Sequence, residues 1–128
     1  MTAQQIYELA VAFLYEQPDE DEENKSYFLP FLNVCLQEAL PYENSIREFE
    51  GREMLAAAPL VTGMTETVPY SDSITRAALP YGVAARYFKE NMDPGEALYM
   101  RTMFVSALER AKKYNAGEIE DVYHNSIQ

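Results

Sequence analysis

The chain has 128 residues, 48% of them hydrophobic, enough for one domain with a real core. Its net charge of −11 makes it a poor candidate for gripping phosphates, because nucleic-acid affinity comes largely from Lys and Arg displacing counterions. The single cysteine, Cys35, excludes an intramolecular disulfide and fits a reducing compartment, and no apolar run is long enough to span a bilayer.

The first expected helix covers residues 2–17. Thr2 and Gln5 match a capping box, and Ile6, Leu9, Ala10, Phe13 and Leu14 follow at helical spacing. The opening lacks a basic n-region and carries Glu8 inside its apolar part, so it does not read as a signal peptide, and the expectation is a soluble cytoplasmic protein. After Pro18 come five acids in six residues, "DEDEEN", a solvated loop whose negative charge suits the start of the next helix.

That second helix is expected over 24–40, burying Phe28, Phe31, Leu32, Cys35, Leu36 and Ala39, with Pro30 in its first turn or starting it. Pro41 is read as ending it or turning the chain, and "YENSIREFEGREM" as a short extension in which Gly51 is a C-cap. From Leu55 to Asp72 the helical period disappears. Pro59, Gly63 and Pro69 alternate with Val61, Thr62, Thr65, Thr67 and Val68, which predicts an extended connection or a hairpin about Gly63.

The third helix, 72–91, contains "ITRAALPYGVAARYF". Its apolar residues fall on one face, yet Pro80 and Gly82 stand in its middle. The expectation is a kink within one turn before Pro80, with Gly82 and its alanines letting another helix approach closely. The fourth helix, 94–115, begins at an Asp93 N-cap with Pro94 in the first helical position. It carries Ala97, Met100, Phe104, Leu108 and Ala111 on one stripe, widened by Leu98 and Val105. The predicted fold is all-α: a four-helix domain over 1–115, a long irregular connection between helices two and three, and an extended tail over 116–128.

Charge is unevenly placed along this order. Residues 1–71 hold 13 acids and 3 bases, residues 72–115 hold 5 acids and 7 bases, and the tail adds 3 acids. Catalytic residues are not evident. His124, the one histidine, lies in the tail far from Cys35, and Cys35 sits on an apolar stripe as a packed core thiol would. "DEDEENKSYFLP" lacks the glycine and the twelfth-position glutamate of a calcium loop, with Asn24 and Pro30 in their places. No P-loop, dinucleotide fingerprint or zinc spacing is present, so no cofactor, metal or catalytic residue is expected. The sharper features are candidate interfaces: Val61, Thr65, Val68 and Tyr70 in the irregular connection, and Ile119, Val122, Tyr123 and Ile127 in the tail.

Three pieces together resemble the head–tail connector, or neck adaptor, proteins of tailed bacteriophages and prophages. "YFLPFLNVCLQEAL" resembles that family's early helix, in which a hydrophobic run leads into an asparagine, Asn33 here. "VTGMTETVPYSDSITRAALPYGVAARYFKENMDP" resembles its centre, and "EALYMRTMFVSALERAKKYN" its closing helix. The resemblance covers most of residues 24–115, and its most specific part is "ALPYGVAARYFKENMDP", with Pro80, Tyr81 and Gly82 as the packing residues of a helix bend.

The resemblance implies a structural protein of the virion neck rather than an enzyme. It would be assembled in the bacterial host cytoplasm as a ring-shaped homo-oligomer between the portal of the DNA-filled head and the next neck or tail component. DNA would pass through the lumen without tight binding. The alternative function is an acidic DNA mimic or regulator that occupies a nucleic-acid-binding partner. A decoy needs carboxylates spaced over a face like phosphates, whereas here many are bunched at 16–23 and 43–53.

Overall fold

The computed structural model describes residues 1–13, 22–90 and 93–112 and shows an all-α fold. Five helical segments follow one another: α1 (Ala3–Phe13), α2 (Glu22–Phe49), the single turn α3 (Asp72–Thr75), α4 (Leu79–Glu90) and α5 (Pro94–Ala111). Among the described residues there is no strand, only one antiparallel bridge between Thr2 and Thr67. No described helix is long and apolar enough to cross a membrane.

The helix starts follow local chemistry. Thr2 and Gln5 form the reciprocal capping box: the Thr2 N–H donates to Gln5 Oε1 (2.9 Å) and the Gln5 N–H donates to Thr2 Oγ1 (3.2 Å). Asp93 caps α5 by accepting from the Glu96 N–H at 3.3 Å, with Pro94 in the first helical position. α5 ends at Ala111, earlier than residue 115; Lys113 onward, like residues 14–17 of the expected first helix, lie outside the described residues.

Three proline expectations are corrected. Pro30 stands at the ninth position of α2 and not in its first turn. Pro41 does not end the second helix: α2 runs through both Pro30 and Pro41 to Phe49, and Gly51 follows at φ +74°, the left-handed conformation that closes a helix. Each proline costs a helical hydrogen bond, but both side chains are exposed, where water can take its place. The intervening turns are fixed by the buried stripe of Leu32, Cys35, Leu36 and Ala39, and by Ile46 beyond Pro41.

Pro80 does not kink a continuous third helix either. α3 stops at Thr75, three residues of turn follow, and α4 starts at Leu79 with Pro80 second. A proline in the first turn gives up an N–H that has no helical partner there anyway, so opening a new helix costs less than bending an old one.

The close approach expected at Gly82 is present. A Cβ there would lie 2.9 Å from Cys35 Sγ and 2.9 Å from Phe104 Cδ1, so α4 passes α2 and α5 at a distance only glycine allows. α4 packs most extensively on α5 and also on α1 and α2, which makes it the centre of the bundle. Tyr81 stacks on Phe13 of α1 (centroids 4.5 Å apart), and Tyr7 meets Phe28 edge-on at 5.2 Å. Leu98 and Val105 do not join the buried stripe of α5. They face outward, Leu98 at 68% exposure.

Candidate functional site

The irregular connection between α2 and α3 is a strap held at fixed points rather than a free loop. Asn33 and Asn44 stand eleven residues apart on α2, three helical turns, and so on one face. Each uses its side-chain amide as a strand uses its backbone. Asn33 Nδ2 donates to the Val61 carbonyl (2.9 Å) and its Oδ1 accepts the Val61 N–H (2.8 Å). Asn44 treats Leu55 in the same way, at 2.9 and 2.8 Å. The strap therefore runs back along α2 from Leu55 to Val61. It then pairs with the N-terminus: Ala3 N–H donates to the Glu66 carbonyl, Gln4 N–H to the Met64 carbonyl and Val68 N–H to the Met1 carbonyl.

The far end of the strap is fastened by a buried charge. Glu43 is 0% exposed. Its Oε2 accepts from Arg47 Nε (2.7 Å) and Arg52 Nη2 (3.2 Å), and its Oε1 accepts the Ser71 N–H at 2.7 Å. Arg47 also donates to the Glu53 and Pro69 carbonyls, so one buried carboxylate and one guanidinium join α2 to both ends of the connection. Tyr70 donates its hydroxyl to the Leu36 carbonyl at 2.6 Å; burial, followed by the nearby Glu43 charge, pushes that phenol up from its ordinary value. At the tip, Glu66 Oε2 accepts from the Thr62 N–H, the Thr62 hydroxyl and the Gly63 N–H, and these bonds hold its carboxyl below the usual range.

These contacts place part of the expected interface inside the fold. Val61, Val68 and Tyr70 are buried in the chain's own core, so as placed they present no surface to a partner. The physical reason is the fastening of the strap: Val61 is held to Asn33, Val68 to Met1 and Tyr70 to the Leu36 carbonyl, which turns these side chains inward while Thr65, in the turn between them, stays exposed. The other four candidates, Ile119, Val122, Tyr123 and Ile127, lie outside the described residues. The clamps themselves were missed in the sequence. Their signal is the repeat "PFLN" at residues 30–33 and "PYEN" at 41–44, in which each proline faces solvent and each asparagine faces the strap.

A second polar cluster lies between α4 and α5. Glu38 of α2 accepts from Arg86 Nη2 through Oε1 (2.8 Å) and from Arg101 Nη2 through Oε2 (2.5 Å). Burial opposes its ionised form, but the two guanidiniums outweigh that and hold the carboxyl below its ordinary value. Arg101 also lies over the Phe104 ring at 5.3 Å. A cleft of about 320 Å³ opens beside the cluster, lined by Gly82, Ala85, Arg86, Ala97, Leu98 and Arg101.

Cys35, beneath that cleft's wall, is fully buried, and burial pushes its thiol up to about 12 against the opposing pull of Arg86. A thiol so held is a packing group and not a nucleophile near neutral pH. Among the described residues, no group of three or more His, Cys, Asp or Glu side chains comes together as a metal site. No family model, curated protein or solved structure matches this chain.

Proposed function

We propose that the chain is a structural head–tail connector of a tailed phage or prophage, acting in the virion neck between portal and tail components as a ring-shaped oligomer. The observation that carries this reading is the role of "ALPYGVAA". The stretch that most specifically resembles the connector family opens α4, the helix at the centre of the bundle, and supplies in Gly82 the close approach to Cys35 and Phe104. On this reading the molecule works through surfaces and not through a catalytic residue.

The same reading takes the acidic surface as a way to keep passing DNA from adhering. Glu38 and Glu43 are committed to arginines of the same chain, which removes them from the phosphate-like array that the decoy alternative needs. The test is assembly. Purified chain added to portal-containing, DNA-filled heads that lack their connector should bind them and restore tail attachment. Deleting residues 117–128 should leave the melting temperature nearly unchanged while abolishing that binding. Tight, salt-sensitive binding of the isolated chain to duplex DNA would count against both the connector and the decoy.

A further inference from the structure

The cleft between α4 and α5 stands out in a chain of net charge −11. Arg86 and Arg101 share the single carboxylate of Glu38, so the cluster keeps one positive charge in surplus. Arg101 is 46% exposed, and among the described residues Arg86 Nε, shielded from solvent beside the Cys35 thiol, has no oxygen or nitrogen acceptor. The other lining side chains are small or apolar: Gly82, Ala85, Ala97 and the protruding Leu98. An occupant that fits must bring carboxylates together with short apolar side chains.

The chain contains one such segment outside the described residues. "EIEDV", Glu118–Val122, places three acids around Ile119 and Val122 with no base among residues 116–128. The other acidic run, Asp19–Glu23, has no apolar residue to set against Leu98. We propose that the α4–α5 cleft is the docking site for the Glu118–Val122 segment of a second copy of this chain. The acids meet the Arg101 and Arg86 guanidiniums, and Ile119 and Val122 cover Leu98 and Ala97.

Chain length favours a second copy over the same one. Lys112 leaves α5 in an extended conformation, φ −58° and ψ 134°. Arg101 lies eleven residues earlier, about 16 Å back along the helix at 1.5 Å per residue. A reversing turn takes about four residues, and about five more at roughly 3.3 Å each cover that distance. Within one molecule Glu120 and Asp121 are then the acids that draw level with Arg101, and Glu118 falls about 10 Å short. A neighbour is free of that limit. Because cleft and segment are different surfaces, the contact is head-to-tail and repeats from copy to copy, closing into a ring where the rotation allows. The inference rests on the self-assembly part of the connector reading and not on its portal contact.

The experiment uses two full-length variants. Leu98→Glu alters only an exposed cleft residue, so that chain can donate its tail but not receive one. E118K/E120K/D121K can receive but not donate. Sedimentation velocity over a range of protein concentration should show wild-type self-association that weakens with salt, and each variant alone should associate about tenfold more weakly or worse. A mixture of the two, each folded by circular dichroism, should recover a one-to-one complex. A wild type that stays at monomer mass throughout would overturn the proposal, as would a variant that associates like wild type or a mixture that fails to pair. So would a spin label at position 122 that broadens Leu98 signals in dilute, monomeric protein, since the cleft would then hold its own chain's tail. If self-association fails while heads lacking their connector still bind the chain, the cleft assignment falls and the connector reading stands.

Discussion

Replacing Gly82 with alanine tests the packing at the centre of the bundle. The new Cβ would lie 2.9 Å from Cys35 Sγ, 2.9 Å from Phe104 Cδ1 and 3.0 Å from Phe104 Cε1. Both neighbours are fully buried, so neither can swing into solvent, and α4 must shift against α2 and α5. Overpacking of this kind costs about 1–3 kcal/mol. The gain from replacing a helical glycine opposes it by about 1 kcal/mol. The clash should at least offset that gain, leaving a net loss of up to about 2 kcal/mol and a melting temperature lower by up to about 10 °C for a domain of this size. Thermal melting by circular dichroism, with urea titration for the free energy, measures it. Gly95→Ala is the control, because nothing lies within 4 Å of a Cβ there, and it should stay within about 0.5 kcal/mol of wild type. Adding Cys35→Ala to Gly82→Ala removes the sulfur contact, so the pair should cost about 0.5–1 kcal/mol less than the sum of its parts. A Gly82→Ala protein that melts higher than wild type would refute the reasoning, since helix propensity would then outweigh the contact.

Asn33→Ala should cost about 2–3 kcal/mol in urea titration, because it strands the N–H and carbonyl of buried Val61; a neutral result would mean the strap is held elsewhere. Glu43→Gln should cost about 3 kcal/mol, as it leaves Arg47 and Arg52 facing a buried neutral amide; the same titration reads it, and tolerance of the change would show that the strap does not depend on this charge. Cys35 should resist a thiol reagent in the native protein and react promptly in urea, and rapid native labelling would contradict its burial. Its raised pKa also sets a pH dependence. An unfolded thiol ionises near 9.0 while the folded one stays protonated to about 12, so this contribution is fully present below pH 9 and is lost as pH rises between those values. Equilibrium unfolding across that alkaline window, compared with Cys35→Ala, checks the sign.

Much of the architecture was legible because it depends on local chemistry. The Thr2–Gln5 capping box, the Asp93–Pro94 start of α5, the buried stripe of α2 and the loss of helical period after Leu55 are each written in adjacent residues, and the structure has all four. The corrections come where tertiary contacts outweigh local preference. Pro41 should stop a helix by itself, but the residues on both its sides bury a continuous stripe, and its exposed position lets water replace the lost bond. Pro80 was expected to bend a helix, and only the placement of α3 and α4 decided that it opens one.

The candidate surface divides in the same way. An irregular segment shows its apolar residues but not which way they face, so Val61, Val68 and Tyr70 read as candidate interface until Asn33, Asn44 and Glu43 fixed the strap against α2. Leu98 fits the helical stripe of α5, yet the 3.6-residue period gives a face only to within its edges. The width of the α4 contact left Leu98 outside it, next to two arginines drawn together by a glutamate from a third helix. Periodicity and capping determine where helices lie along the chain. Which of their edges stay open is decided by how closely the helices approach, and here that distance is set by a glycine against a sulfur and a phenyl ring.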